Sequence, residues 1–107
     1  MNLFEDIPSR LDEEEFKDLL NKPDVRIERI VSRGQVSEPG FWYEQQEDEW
    51  VVLLEGEAIL EYADGAKDEL SKGDYVYIPA MKKHRVAYTS TEPACVWLAV
   101  FFGGDDV

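Results

Sequence analysis

From Val25 onward the apolar residues come in short blocks, several alternating with polar residues and most separated by Gly, Pro, Asp or Ser. Blocks of this length with turn residues at both ends predict β-strands, because a helix would spread its apolar positions at intervals of three and four. The pattern predicts eight strands, at Val25–Ser32, Phe41–Gln45, Glu49–Glu55, Glu57–Tyr62, Lys67–Leu70, Tyr75–Ile78, His84–Thr89 and Cys95–Phe102. Asp64-Gly65 falls between two of them and predicts a tight hairpin, since glycine tolerates the positive φ such turns require. Eight antiparallel strands of this kind suit a jelly-roll barrel. Ahead of Pro23 the pattern changes. Asp12 can cap a helix with Glu15 three residues on, Leu11 can staple against Phe16, and Phe16, Leu19 and Leu20 can share one face. This predicts a short N-terminal α-helix ending at Asn21, Lys22 and Pro23, which would cover an open edge or end of the sheet.

The expected organisation is therefore a helical extension over residues 1–24 and one all-β domain over 25–107. Trp50–Leu54 and Cys95–Phe102 are apolar at nearly every position, so both faces of these strands need cover. One face can line a barrel. For the other, a second copy of the chain is the simplest cover, which predicts a homodimer. Gly103–Val107 reads as a frayed acidic tail.

Composition narrows the partners. Eleven basic against twenty-four acidic side chains give a formal net charge of -13, which repels phosphate backbones and anionic headgroups. Nucleic acid and membrane surfaces are accordingly not expected as partners. The N-terminal residues lack the basic start and apolar stretch of a secretory signal, so a cytoplasmic location is expected. Cys95 is the only cysteine, which rules out an intrachain disulfide, and its apolar surroundings in sequence predict a buried, inert thiol.

The chemistry-bearing residues sit in two glycine-punctuated stretches, Glu49-Trp-Val-Val-Leu-Leu-Glu-Gly56 and Gly73-Asp-Tyr-Val-Tyr-Ile-Pro79-Ala-Met-Lys-Lys-His84. This pairing resembles the cupin family, whose first motif reads G-x5-H-x-H-x(3,4)-E-x6-G and whose second reads G-x5-P-x-G-x2-H-x3-N. Glu49 and Gly56 match the end of the first motif, and Gly73, Pro79 and His84 match the second. The resemblance implies a double-stranded β-helix, that is, a jelly-roll barrel, with Glu49 and His84, the only histidine, facing its interior. It also implies a transition-metal site, but the two first-motif histidines are absent here. Trp42 and Glu44, or Tyr43 and Gln45, stand in their place according to the spacer. Met81 and Tyr88 replace the glycine and asparagine of the second motif.

Three readings follow. In the first, Glu44, Glu49 and His84 hold a divalent ion such as Mn, Fe, Ni or Zn, with Glu49 and His84 as catalytic groups of an isomerase, dioxygenase or hydrolase. In the second, a metal-free barrel binds or senses a small organic ligand through Tyr43, Gln45, Tyr77, Met81 and Tyr88. The third is a structural dimer without catalysis.

Overall fold

The computed structural model describes residues 1–103, so most of the expected acidic tail lies outside the described residues. Eight strands form in chain order: β1 (Glu15–Lys22), β2 (Val25–Ser32), β3 (Asp48–Glu55), β4 (Ala58–Tyr62), β5 (Lys67–Leu70), β6 (Tyr75–Ile78), β7 (His84–Thr89) and β8 (Cys95–Phe102). They make two antiparallel sheets, one of five strands in the order β1-β2-β8-β3-β6 and one of three in the order β5-β4-β7. The inner faces close on a core that includes Val51, Leu53, Leu60, Tyr62, Ile78, Trp97, Ala99 and Phe101.

The expected N-terminal helix is absent: all of the regular structure among the described residues is β. The segment that carried the helix signature is strand β1, which pairs along β2 from Glu15↔Val31 to Lys22↔Val25. The physical reason is the open edge of β2. Its backbone N–H and C=O groups need partners, and an adjacent strand supplies them where a helix laid over the edge cannot. Pro23, expected with Asn21 and Lys22 to end the helix, instead forms with Asp24 the two-residue connection of a β1–β2 hairpin. A break in register between Asp18 and Leu20 lets Leu19 bulge, so the spacing of Phe16, Leu19 and Leu20 does not require a helical face.

The other expected segment that differs is Phe41–Gln45, which forms no strand but is tied by one bridge: Tyr43 N donates to the His84 carbonyl at 2.7 Å, and His84 N to the Tyr43 carbonyl at 3.1 Å. The Asp64-Gly65 hairpin joins β4 to β5, with Gly65 at φ 94° and the Asp64 carboxylate accepting from Ala66 N at 2.9 Å. Cys95 is fully buried and its thiol donates to the Glu57 carbonyl.

Residues before β1 run as an arm over the outer face of the larger sheet. Arg29 holds it there, donating to the carbonyls of Leu3 and Glu5, and Arg33 donates to that of Pro8. The arm covers only part of this face. Paired residues across antiparallel strands share a face, so Trp50, Val52, Tyr75, Tyr77, Leu98 and Val100 stand together outside the barrel.

Candidate functional site

Alternation along the strands delivers the site. Glu49, Val51 and Leu53 of β3 point inward, as do Trp97, Ala99 and Phe101 of β8 and Glu28 and Ile30 of β2. Opposite them, Tyr62 pairs with His84 and Leu60 with Val86, so His84 faces inward from the smaller sheet. Between the sheets lies a cavity of about 100 Å³ whose wall includes Glu14, Glu28, Tyr43, Gln45, Glu49, His84 and Trp97.

Glu49 and His84 are 8% and 6% exposed, and Glu49 Oε1 lies 3.6 Å from His84 Nε2. The imidazole is held at three points. Its Nδ1 lies 2.9 Å from the Lys82 carbonyl, its own backbone is bridged to Tyr43, and the Tyr43 ring stacks beside it with centroids 5.6 Å apart. A carbonyl can only accept, so Nδ1 carries a hydrogen, and Nε2 is the nitrogen that gains or loses the titrating proton. Gln45 Nε2 donates to the same oxygen, Glu49 Oε1, at 3.2 Å, and so helps fix the carboxylate beside the imidazole.

Burial opposes charge on His84, but contact with the Glu49 carboxylate and the bond to the Lys82 carbonyl outweigh it, raising the pKa above the ordinary 6.5. A raised folded-state pKa means that the pair contributes stability fully below pH 6.5 and loses it as pH rises through the folded value. In Glu49→Gln, burial would be opposed chiefly by the carbonyl. The His84 midpoint is then expected to fall. Imidazole proton resonances of the single histidine can measure this directly, and a midpoint that stayed above 6.5 would show that Glu49 does not set it.

The other sequence-chosen residues occupy various places. Tyr43 and Gln45 line the cavity, whereas Glu44 is exposed and is not among the lining residues. Tyr77 stands on the outer face of β6 and donates to Asp48, and Met81 is exposed in the β6–β7 connection. Tyr88 would share the face of His84 by simple alternation, but β7 bulges opposite Ile59 and Leu60, which turns Tyr88 outward. Sequence reasoning did not single out Glu14, Phe16, Glu28 or Trp97 for the cavity. The available signal was the strand alternation that puts Glu28 on the same face of β2 as Ile30.

A three-ligand metal centre does not fit these residues: among the described residues no three His, Cys, Asp or Glu side chains gather closely enough to hold a metal ion. The polar centre is one imidazole, one carboxylate and an amide.

Comparison with known proteins agrees with this architecture. The family model for the Cupin domain matches residues 29–101. The crystal structure of a candidate mannose-6-phosphate isomerase from Ralstonia eutropha is 43% identical and superposes with a TM-score of 0.92, with 97% of each chain covered. A cupin superfamily protein from Desulfitobacterium hafniense, 22% identical, gives a TM-score of 0.76 over 90% of this chain and 83% of its own. A conserved Streptococcus pyogenes protein of unknown function, 19% identical, gives 0.77 over 99% of this chain and 88% of its own. These last two likenesses show the fold alone. None of the curated proteins matches the chain. With two antiparallel sheets closed around an inward glutamate and histidine, and with the family model matching most of its length, the chain belongs to the cupin family.

Proposed function

We propose that the cavity binds a small organic molecule, and that Glu49 and His84 act there as a proton-transfer pair without a resident metal ion, in chemistry of the isomerase type. The observation carrying this reading is the fixed orientation of the imidazole, with Nδ1 committed to the Lys82 carbonyl and Nε2 left to exchange a proton beside Glu49. An imidazole whose pKa is raised by its carboxylate neighbour can both accept and return a proton, as general acid–base catalysis requires. The reaction would break a C–H bond next to a substrate carbonyl, with Nε2 taking the proton. In a substrate whose deprotonated carbon bears a hydroxyl, return of that proton to the former carbonyl carbon, with the hydroxyl proton passing to the former carbonyl oxygen, completes an isomerisation without net oxidation. Glu49 would stabilise the transient imidazolium, and Gln45 would keep Glu49 in place. Similarity to the Ralstonia eutropha protein supports the reaction type.

Two measurements test this. Protein purified without a chelator or metal-affinity tag is expected to hold no stoichiometric metal and to keep its thermal midpoint when Mn, Fe, Ni or Zn is added. Stoichiometric metal would return the advantage to the metal-dependent reading. Small carbonyl compounds incubated in deuterated water should exchange hydrogen at carbon. The rate is expected to fall roughly 10²–10⁴-fold in His84→Gln, and an unchanged rate would remove His84 from the chemistry.

We also propose that the chain is a homodimer through the outer face of the larger sheet. Trp50 and Tyr75 meet there at 5.4 Å between ring centroids, and Tyr75 remains 65% exposed. Monomers rarely leave a contiguous apolar sheet face in water. Light scattering is expected to give twice the chain mass, and Val100→Glu to give the chain mass with the fold retained. A monomer mass for the unaltered chain at dilute and concentrated protein alike would overturn the dimer.

A further inference from the structure

The lining of the cavity narrows the ligand class, on the reading just given that this cavity is the working site. Three carboxylates, Glu14, Glu28 and Glu49, stand in the wall, and no lysine or arginine does. Arg26 reaches Glu28 at 3.5 Å, the Ser32 hydroxyl donates to Glu14, and Gln45 and His84 engage Glu49. Only Glu28 therefore has a permanent cation beside it. Lys82, the other nearby base, places its ammonium over the Tyr62 ring and is not a lining residue. Burial raises the pKa of Glu14 and Glu28, against the lowering influence of Ser32 and Arg26 respectively, so water solvates neither carboxylate fully.

Aromatic rings fill the space between the acids: Phe16, Tyr43, Trp97 and Phe101 all line the cavity. Ring faces attract cations. One such contact is already present, since the Arg26 guanidinium sits 4.1 Å from the centre of the Phe101 ring. Trp97 adds an independent sign. It is 4% exposed and projects from the inner face of β8, yet its buried indole N–H has no hydrogen-bond partner. Such a group can only donate, and the protein itself supplies no acceptor for it. The volume of about 100 Å³ is below the roughly 150 Å³ of a cavity that holds benzene, so the enclosed part of a ligand is a few heavy atoms.

We propose that the cavity selects a small protonated amine that also bears a hydroxyl or carbonyl oxygen, in preference to a phosphorylated sugar. The ammonium would sit among the carboxylates and ring faces, and the oxygen would accept from the Trp97 indole. A phosphate in the same place would meet three carboxylates, and the one fixed cation nearby, Arg26, is already engaged by Glu28 and Glu47.

The single histidine makes the test direct. Ethanolammonium chloride, mannose 6-phosphate and glycerol are added separately at matched ionic strength, and the His84 imidazole resonances and thermal midpoint are followed. Ethanolammonium is expected to shift the resonances saturably and raise the thermal midpoint. It should also lower the His84 titration midpoint by about one pH unit, because a neighbouring cation disfavours the imidazolium. The effective affinity is expected to fall tenfold or more in Glu14→Gln, which keeps an acceptor for Ser32. Equal affinity in that variant would overturn the role of the carboxylates. Saturable response to mannose 6-phosphate or glycerol without one to ethanolammonium would overturn the cationic class while leaving the cavity as the site. Silence from all three would overturn both the class and the site.

Discussion

Gly56→Ala is expected to destabilise the chain by about 3–4 kcal/mol, from two costs that add at one position. Gly56 connects the two sheets between β3 and β4 and has φ 94°, in the left-handed region where a side chain is strained. A Cβ built there would lie 2.8 Å from the Ala94 carbonyl oxygen and 2.9 Å from both Cα and Sγ of Cys95. Backbone and buried thiol cannot swing aside, so the start of β8 must shift. Gly65→Ala separates the two costs, because Gly65 also has φ 94° but nothing lies within 4 Å of its added Cβ. That variant is expected to lose only about 1–2 kcal/mol. Denaturant unfolding of both variants measures the difference, and equal losses would mean that the contact with β8 is easily relieved.

Arg29→Met is expected to cost about 3 kcal/mol and to lower the thermal midpoint by on the order of 10–20 °C. Arg29 is 2% exposed, and its guanidinium donates to the carbonyls of Leu3 and Glu5 and to the Glu15 carboxylate. Methionine replaces much of the stem but none of the donors. The loss stays below the upper range for breaking a buried pair because Glu15, about one-third exposed, can regain water. The same change releases the N-terminal arm. Limited proteolysis is expected to cut within residues 1–12 faster than in the unaltered chain, and an unchanged cleavage rate would show that the arm is held by other contacts.

The sequence was most readable where turn residues close both ends of a block. Lys67–Leu70, Tyr75–Ile78, His84–Thr89 and Cys95–Phe102 begin and end in the structure where the pattern placed them. Around Phe16 the local signals favoured a different element. Capping residues and a staple describe what a segment would do alone, whereas β1 is decided by the unpaired edge of β2, an environment that exists only after the sheet has formed. The same difference separates the legible and illegible parts of the site. Glu49 and His84 could be found from their spacing to Gly56 and Pro79, because each lies within one short segment. Phe16 and Glu28 reach the cavity through the register of β1 on β2 and β2 on β8, and Glu14, just ahead of β1, is tied there by Ser32, all of which depends on contacts between distant parts of the chain. Tyr88 was aimed inward by alternation, and one extra residue in β7 was enough to reverse it.

The edge position of β1 gives the cavity a wall of unequal strength. Glu14 and Phe16 form part of that wall, yet β1 is hydrogen-bonded on one side only and seven of its eight residues are exposed. Such strands open at low cost compared with central ones, and their amide hydrogens exchange with solvent early. Peeling β1 back from the Pro23-Asp24 turn would thus breach the cavity without disturbing β3, β8 or the buried pair of Glu49 and His84. Any molecule that engages Glu14 would oppose this fraying. Occupancy should consequently be visible as slower hydrogen exchange along β1, so that the outermost strand reports on the centre of the protein.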